Sequence, residues 1–209
     1  MKILSIYRII GGLRGLIVTF AILLTGAMAL AGAGDLRDGD IPLGAQDAPI
    51  TVIEYASMTC PHCAAFETEV FPEVKRKYID KGIVRFVFRE YPLDGLALRA
   101  SMLARCAGKD KFYGFIAVLF RQQRTWATAK DPLAALGRIA RFGGMSAADF
   151  EACMKNQALS REIVATRYDG QKTYQVNATP TFVINGKPRA GVIPIEEFDK
   201  IVTDLVGSK

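Results

Sequence analysis

The chain has 209 residues, half of which are hydrophobic, and its 27 basic and 21 acidic residues give a formal net charge of +6. A chain of this length can bury one good core, so we expect a single structural unit with room for an inserted subdomain. The basic residues do not cluster with interleaved aromatic residues, which leaves a nucleic-acid-binding function without support.

The N-terminus predicts a secretory signal peptide at residues 1–31. It carries Lys2, Arg8 and Arg14 without an acidic residue, and a largely apolar run follows at residues 16–24. Small residues that offer Ala-x-Ala cleavage sites come next. Cleavage would remove three of the six net positive charges and leave the mature chain in the periplasm or another extracytoplasmic compartment. An uncleaved signal that tethers the protein to a membrane is the alternative, although the apolar run is short for a spanning helix.

Residues 32–49 are polar and contain Asp, Gly and Pro, so we predict a lead-in loop. The apolar run Ile50–Ala56 then predicts a buried strand. A helical pattern begins with Ala64, directly after the sequence Cys60-Pro61-His62-Cys63. Pro72 is expected to kink that helix, because proline lacks an N–H and clashes with the preceding turn.

The position of Cys60 at the start of this helix is the most informative feature of the sequence. Free backbone N–H groups and the helix dipole favour a negative charge there. A thiolate is the species that benefits, and thiolates exchange with disulfides. A structural disulfide or a metal-binding pair is the alternative interpretation of Cys60 and Cys63.

A second strand is predicted at residues 83–88, which are β-branched or aromatic in most positions. Residues 96–174 change to the three- and four-residue spacing of several helices. Cys106 and Cys153 lie in this helical block without a partner at CxxC or metal-ligand spacing. In an oxidising compartment we expect them to form a structural disulfide, with two buried free thiols as the alternative.

Strand character returns at Thr181–Ile184, and Asn185-Gly186 predicts a hairpin whose second arm covers residues 187–192. Pro194 begins a final amphipathic helix. The order is therefore strand, helix, strand, helical block, hairpin and helix. A sheet with a helical insertion is its simplest packing, which makes residues 50–209 an α/β domain with an insertion at about 96–174.

These motifs resemble the thioredoxin fold, and specifically the DsbA-like branch of exported thiol:disulfide oxidoreductases. The sequence Cys60-Pro61-His62-Cys63 matches the active-site motif of that branch, and Thr179-Pro180 before the hairpin resembles its second signature. The resemblance covers about residue 40 to the C-terminus. It implies a thioredoxin-like α/β fold with an inserted helical subdomain.

The resemblance also implies the roles of the active-site motif. Cys60 is the expected nucleophile, and Cys63, one helical turn inward, is the resolving cysteine. His62, the only histidine of the chain, is expected to stabilise the Cys60 thiolate with an N–H group or a positive charge. Pro61 is expected to tune the motif by fixing the backbone.

Three residues outside the motif complete the expected site. By resemblance, the bond before Pro180 is cis and Thr179 offers backbone groups to an extended substrate segment; an ordinary strand-entry proline is the alternative. The family often has an acid at the position of Glu54, which implies a buried carboxyl with a raised pKa that handles the proton of Cys63. A solvent-facing Glu54 at a strand edge is the alternative.

The resulting functional prediction is a monomeric dithiol oxidase without a cofactor or metal. It donates the Cys60–Cys63 disulfide to newly translocated proteins with free thiols, and by resemblance a membrane partner of the DsbB type reoxidises it. A periplasmic reductase or isomerase is an alternative, but residues 32–49 are too few for the added N-terminal domain of such variants. A metal-binding protein or a holdase chaperone would be a different class; against metal, no ligands complete a site around Cys60, His62 and Cys63.

Overall fold

The structure is a computed structural model that describes residues 36–207. The predicted signal peptide lies outside the described residues, as do the first four residues of the lead-in. Within the described part of the chain, no helix is both long and apolar enough to cross a membrane.

A five-stranded mixed sheet forms the centre, with the strand order β1-β3-β2-β4-β5. The strands are β1 (Pro42–Leu43), β2 (Ile50–Ala56), β3 (Val84–Glu90), β4 (Thr181–Ile184) and β5 (Lys187–Ala190). β2 and β3 are parallel, and the other three pairs are antiparallel. β1 and β5 are the two edges, and all four residues of β5 are exposed.

The predicted strands are present, with one addition. Every residue of β2 and β3 is buried, as expected for strands covered on both faces. The lead-in, predicted as a loop, contributes β1, which pairs with β3 through Pro42 opposite Val87 and Leu43 opposite Phe86. A strand of two residues is too short to show a periodicity in the sequence.

The helix after the motif runs from residue 61 to residue 79 and alternates between two geometries. It consists of α1 (Pro61–Ala65), a π-helical turn (Phe66–Val70), α2 (Phe71–Val74) and a second π-helical turn (Lys75–Ile79). Pro72 does not end the helix. The register changes just before it, where the N–H of Phe71 bonds to the carbonyl of Phe66, and the missing donor of Pro72 falls at that change.

The helical insertion lies between β3 and β4, as predicted. Its helices are α3 (Gly95–Cys106), α4 (Phe112–Arg121), α5 (Gln123–Ala127), α6 (Pro132–Phe142), α7 (Ala147–Lys155) and α8 (Gln157–Tyr174), with a 3₁₀ turn at Lys109–Lys111. Side chains cap α3, α6, α7 and α8 at Asp94, Asp131, Ser146 and Asn156. The final helix, α9 (Ile195–Gly207), follows β5 and confirms the predicted amphipathic helix.

The apolar core has two parts. The larger part includes the redox motif, the helices after it and most of the insertion. The smaller part comprises Ile53, Tyr55, Val87, Tyr91, Val176 and Val183, with Tyr174 at the end of α8 packed against it. Gly170 of α8 lies so close to Tyr55 that a Cβ atom there would be 2.6 Å from the ring carbon Cε1.

Buried ion pairs tie the lead-in to the sheet. Asp40 accepts from the guanidinium of Arg89 at 2.7 Å, and both side chains are only 2% exposed. Arg89 also donates to the hydroxyl of Tyr55 at 2.8 Å. Arg105 of α3 pairs with the buried Glu90 and donates to the carbonyl of Gly39. The lead-in is therefore a fixed part of the fold, because breaking one partner of such a pair leaves a buried charge.

Candidate active site

The redox motif begins where β2 leaves the sheet. Three residues, Ser57, Met58 and Thr59, connect the strand to Cys60, whose extended backbone (φ −79°, ψ 120°) places it at the N-cap of α1. The N–H of Cys60 bonds to the carbonyl of Ser57 at 3.0 Å, and the carbonyl of Cys60 accepts the N–H of Ala64 at 3.1 Å. Cys60 thus occupies the helix N-terminus that the sequence predicted.

The turn before Cys60 is held by side chains from the insertion. Thr59 Oγ1 donates to Asp94 Oδ2 at 2.6 Å, while the other oxygen of Asp94 caps α3. Gln123 Nε2 of α5 donates to the carbonyls of Met58 and Cys60, both at 2.9 Å. Sequence reasoning did not single out Asp94 or Gln123. Asp94 at the start of a helical pattern was visible as a cap signal, but nothing marked Gln123.

Cys60 and Cys63 are both free thiols in this structure, and Cys60 is 6% exposed. The pKa of Cys60 is lowered to about 5, chiefly because the thiol of Cys63 donates a hydrogen bond to its sulfur. The Thr179 side chain and the backbone N–H groups of Cys63 and His62 add to this effect and outweigh desolvation. The structure therefore favours a thiolate at Cys60 at neutral pH.

Cys63 has the opposite environment. It is fully buried one turn into the helix, and this burial is the main cause that raises its pKa above the ordinary value. The hydrogen bond to Cys60 and the carboxyl of Glu54 raise the pKa further. One sulfur of the pair is therefore suited to carry charge, and the other is suited to stay protonated.

Glu54 lies at the centre of the sheet, opposite Phe88 on one side and Phe182 on the other. It is 1% exposed, and neither carboxylate oxygen has a hydrogen-bond partner among the described residues. Desolvation raises its pKa well above the ordinary value, with further contributions from Glu67 and Cys60. The solvent-facing alternative for this residue is therefore wrong, and burial favours the neutral form of the carboxyl.

Glu67 is a second buried carboxyl near the motif that sequence reasoning missed. It follows Cys63 by four residues, one helical turn, and lies in the first π-helical turn. Burial raises its pKa to about 8, and only the charge of Arg121 opposes this shift. The one available sequence signal was its spacing from the motif, which places it on the same helix face as Cys63.

Pro61 and His62 are both exposed at the surface of the motif. Pro61 is the first residue of α1, where its missing N–H costs nothing. His62 supplies its backbone N–H to the Cys60 sulfur, and its imidazole stays at the surface. Among the described residues, no group of three or more His, Cys, Asp or Glu side chains is arranged to hold a metal ion.

The Thr179-Pro180 segment lies against Cys60. The bond between these two residues is cis, and the Cys60 sulfur lies 3.3 Å from the carbonyl oxygen of Thr179, to which it donates when it is protonated. Pro180 precedes β4, and its carbonyl accepts the N–H of Gly191 at 2.8 Å. The structure thus brings the two sequence signatures together, although 119 positions separate Cys60 from Thr179.

The other two cysteines lie in the insertion. Cys106 at the end of α3 and Cys153 in α7 are joined by a sulfur–sulfur bond of 2.09 Å. This bond links two helices that also pack against one another. It belongs to the insertion and is separate from the Cys60–Cys63 pair.

Comparisons with known proteins agree with this site. A family model described as thioredoxin matches residues 37–204. A Rickettsia bellii protein whose name assigns it provisionally to the protein-disulfide oxidoreductases is 34% identical over 152 residues, covering 72% of this chain and 59% of that protein. Disulfide bond formation protein D of Bacillus subtilis is 29% identical over 171 residues, covering 76% of this chain and 73% of that protein. The crystal structure of α-DsbA1 from Wolbachia pipientis has a TM-score of 0.77 at 30% identity and covers 83% of this chain and 94% of that one.

The chain therefore belongs to the thioredoxin family, and within that family it groups with the DsbA-like proteins. The fold predicted from the sequence, thioredoxin-like with an inserted helical subdomain, is confirmed. The chain spans 59% of the length of the rickettsial relative. The rest of that relative lies outside the matched region.

Proposed function

We propose that this protein is an exported dithiol oxidase that donates the Cys60–Cys63 disulfide to newly translocated proteins. One observation carries the proposal: the reduced form stabilises a thiolate at Cys60, whose pKa is lowered to about 5. Stabilising the reduced form of a thiol pair makes its disulfide a stronger oxidant. A strongly oxidising disulfide passes readily to clients.

The reaction takes two exchange steps. A client thiolate attacks Cys60 Sγ of the oxidised pair, the Cys60–Cys63 bond breaks, and Cys63 leaves with the electron pair. A second client thiolate then attacks the client sulfur of the mixed disulfide, and Cys60 leaves as the stabilised thiolate. The client loses two electrons and forms one disulfide, while the pair gains both electrons.

Glu54 is proposed to supply the proton that Cys63 needs when it leaves. Cys63 strongly favours its thiol form, and burial raises the pKa of Glu54, so its carboxyl is suited to hold a proton that it can pass to the leaving Cys63. Because neither oxygen of Glu54 has a hydrogen-bond partner among the described residues, its proton is not held by another group. The Thr179 backbone is proposed to bind an extended client segment next to Cys60.

Export through residues 1–31 would bring the enzyme to an oxidising extracytoplasmic compartment, where the oxidase needs a reoxidation partner. We propose a membrane protein of the DsbB type for that step. A monomer without a cofactor suffices for the chemistry, because both exchange steps use only the two sulfur atoms of the pair and the client thiols.

The test is differential alkylation of the purified mature protein across a series of glutathione redox buffers, read peptide by peptide by mass spectrometry. We expect the Cys60–Cys63 pair to stay reduced until the buffer is strongly oxidising, because the thiolate of Cys60 favours the reduced form. The peptides that contain Cys106 and Cys153 serve as the internal control and are expected to stay joined.

A pair that is already oxidised in reducing buffers would contradict the oxidase and favour a reductase. Replacement of both motif cysteines by serine separates the remaining alternative. An oxidase loses its effect on client proteins, whereas a holdase chaperone keeps it.

A further inference from the structure

Gln123 is a polar residue at a buried junction between the insertion and the redox motif. It begins α5 and is 8% exposed, in contrast to its neighbours Gln122 and Arg124, which face solvent. Its amide nitrogen donates two hydrogen bonds, both to backbone carbonyls of the turn before α1. These carbonyls, of Met58 and Cys60, flank Thr59.

The helix that carries Gln123 is fixed independently of the motif. The N–H of Gln122 bonds back to Val118 of α4 at 3.0 Å, and the N–H of Trp126 bonds to Gln122 at 3.1 Å. Trp126 is 1% exposed, and its indole N–H donates to the carbonyl of Leu119 at 2.7 Å. The side chain of Gln123 therefore extends from a helix that is held in place by the insertion. Its hydrogen bonds fix the carbonyls of Met58 and Cys60 relative to the insertion.

The position of these carbonyls affects the Cys60 sulfur. The Cys60 carbonyl is also the first acceptor of α1, so its direction sets the start of the helix. The backbone N–H groups of His62 and Cys63, which stabilise the thiolate, belong to the same first turn. Without the amide, the buried Met58 carbonyl would lose its side-chain donor, and the turn would shift to satisfy it.

We propose that Gln123 is a positioning residue through which the helical insertion stabilises the Cys60 thiolate. Its side chain binds backbone carbonyls, and it acts by holding the turn that aims the first backbone N–H groups of α1 at Cys60. The proposal rests on the proposed oxidase function for its biological meaning, but the thiolate itself can be measured without a client.

The test is the substitution Gln123→Met, which keeps the length of the side chain and removes both donors. We expect the pKa of the Cys60 thiol, followed by thiolate absorbance in the ultraviolet, to rise. The equilibrium constant with glutathione should shift about three- to tenfold toward the disulfide form, since loss of one partner of a buried hydrogen bond has an effect of this order. Gln122→Met is the matched control, and it should leave both quantities unchanged.

A merely structural role gives a different result. In that case Gln123→Met would lower the unfolding midpoint of the oxidised and reduced forms equally and leave the thiol pKa unchanged, and the proposal would be overturned. Should Gln123→Met fail to fold, Gln123→Asn retracts the donors by one methylene and should shift the pKa in the same direction. If the wild-type thiol itself titrates near its ordinary value, the proposed oxidase function fails, rather than the role of Gln123 alone.

Discussion

At the scale of single residues, the site separates groups that look alike in the sequence. Cys60 and Cys63 are the same residue type three positions apart, yet hydrogen bonds lower one pKa and burial raises the other. Glu67 and Glu69 are similarly close, but Glu67 is buried and Glu69 is exposed. The environment that the fold supplies decides the chemistry of each member of these pairs.

Glu67→Gln is expected to change how stability depends on pH. The pKa of Glu67 is raised from its ordinary value of 4.5 to about 8 in the fold. Its contribution to the free energy of unfolding is therefore complete below pH 4.5, and it is lost as the pH rises from there through about 8. The variant should match the wild type near pH 4 and exceed its free energy of unfolding at pH 9 by about 5 kcal/mol, because each pKa unit between 4.5 and about 8 corresponds to about 1.4 kcal/mol. Urea unfolding at both pH values measures this. The control Glu69→Gln should show no such gain, and parallel curves for Glu67→Gln and wild type would contradict the prediction.

At the scale of elements, α8 closes the smaller core by a close approach to β2. Gly170 permits that approach, because any side chain there meets the ring of Tyr55. The ring cannot easily move away. Its hydroxyl accepts a hydrogen bond from Arg89, and its ring is perpendicular to that of Tyr91, with the ring centres 6.4 Å apart. A glycine that weakens the helix locally therefore gains close packing between helix and sheet.

Gly170→Ala is expected to destabilise the protein. Overpacking against Tyr55 costs about 1–3 kcal/mol, which exceeds the helix-propensity gain of up to about 1 kcal/mol. Gly114→Ala in α4 is the matched control, because a Cβ atom there meets nothing within 4 Å; it should stabilise. Thermal unfolding of both variants checks the contrast. Equal stabilisation by the two alanine substitutions would contradict the prediction, because it would mean that the Tyr55 ring moves aside at no cost in stability.

At the scale of the whole molecule, polar contacts join the insertion to the rest of the fold, and a disulfide joins two helices within it. Asp94 accepts a hydrogen bond from the active-site turn and Gln123 donates to it, and Arg105 attaches the insertion to β3. The Cys106–Cys153 bond closes α3 onto α7 within the insertion. The redox pair therefore lies where the insertion meets the sheet, and both the shared apolar core and these polar contacts hold the two parts together.

Replacing both Cys106 and Cys153 by serine is expected to lower the free energy of unfolding by about 4 kcal/mol, because the bond closes a loop over 47 positions in the unfolded chain. Denaturant unfolding with the Cys60–Cys63 pair in one defined redox state measures the change. The same protein without the substitutions, in that same redox state, is the control. An unchanged denaturant midpoint would show that the disulfide does not stabilise the fold by restricting the unfolded chain.

Much of the fold was predictable because its signals are local. The burial of β2, the capped helices and the Asn185-Gly186 turn each follow from a few adjacent residues. The two halves of the site were predictable only by resemblance, since 119 positions lie between Cys60 and Thr179. Gln123, Glu67 and the Asp40–Arg89 pair were not predicted, because a polar side chain in the sequence carries no mark of being buried.

The two edges of the sheet affect how the protein behaves at high concentration. An edge strand leaves backbone groups unpaired, and another extended chain can add to it. Here one edge is a strand of two residues, and the other carries Lys187, Pro188 and Arg189. Pro188 has no N–H to offer, and Lys187 places a positive charge on this edge, while Arg189 is paired with Glu197 at 2.5 Å. Neither edge of the sheet therefore offers a long strand to which another extended chain could readily add. This property suits a protein that is proposed to work among unfolded chains.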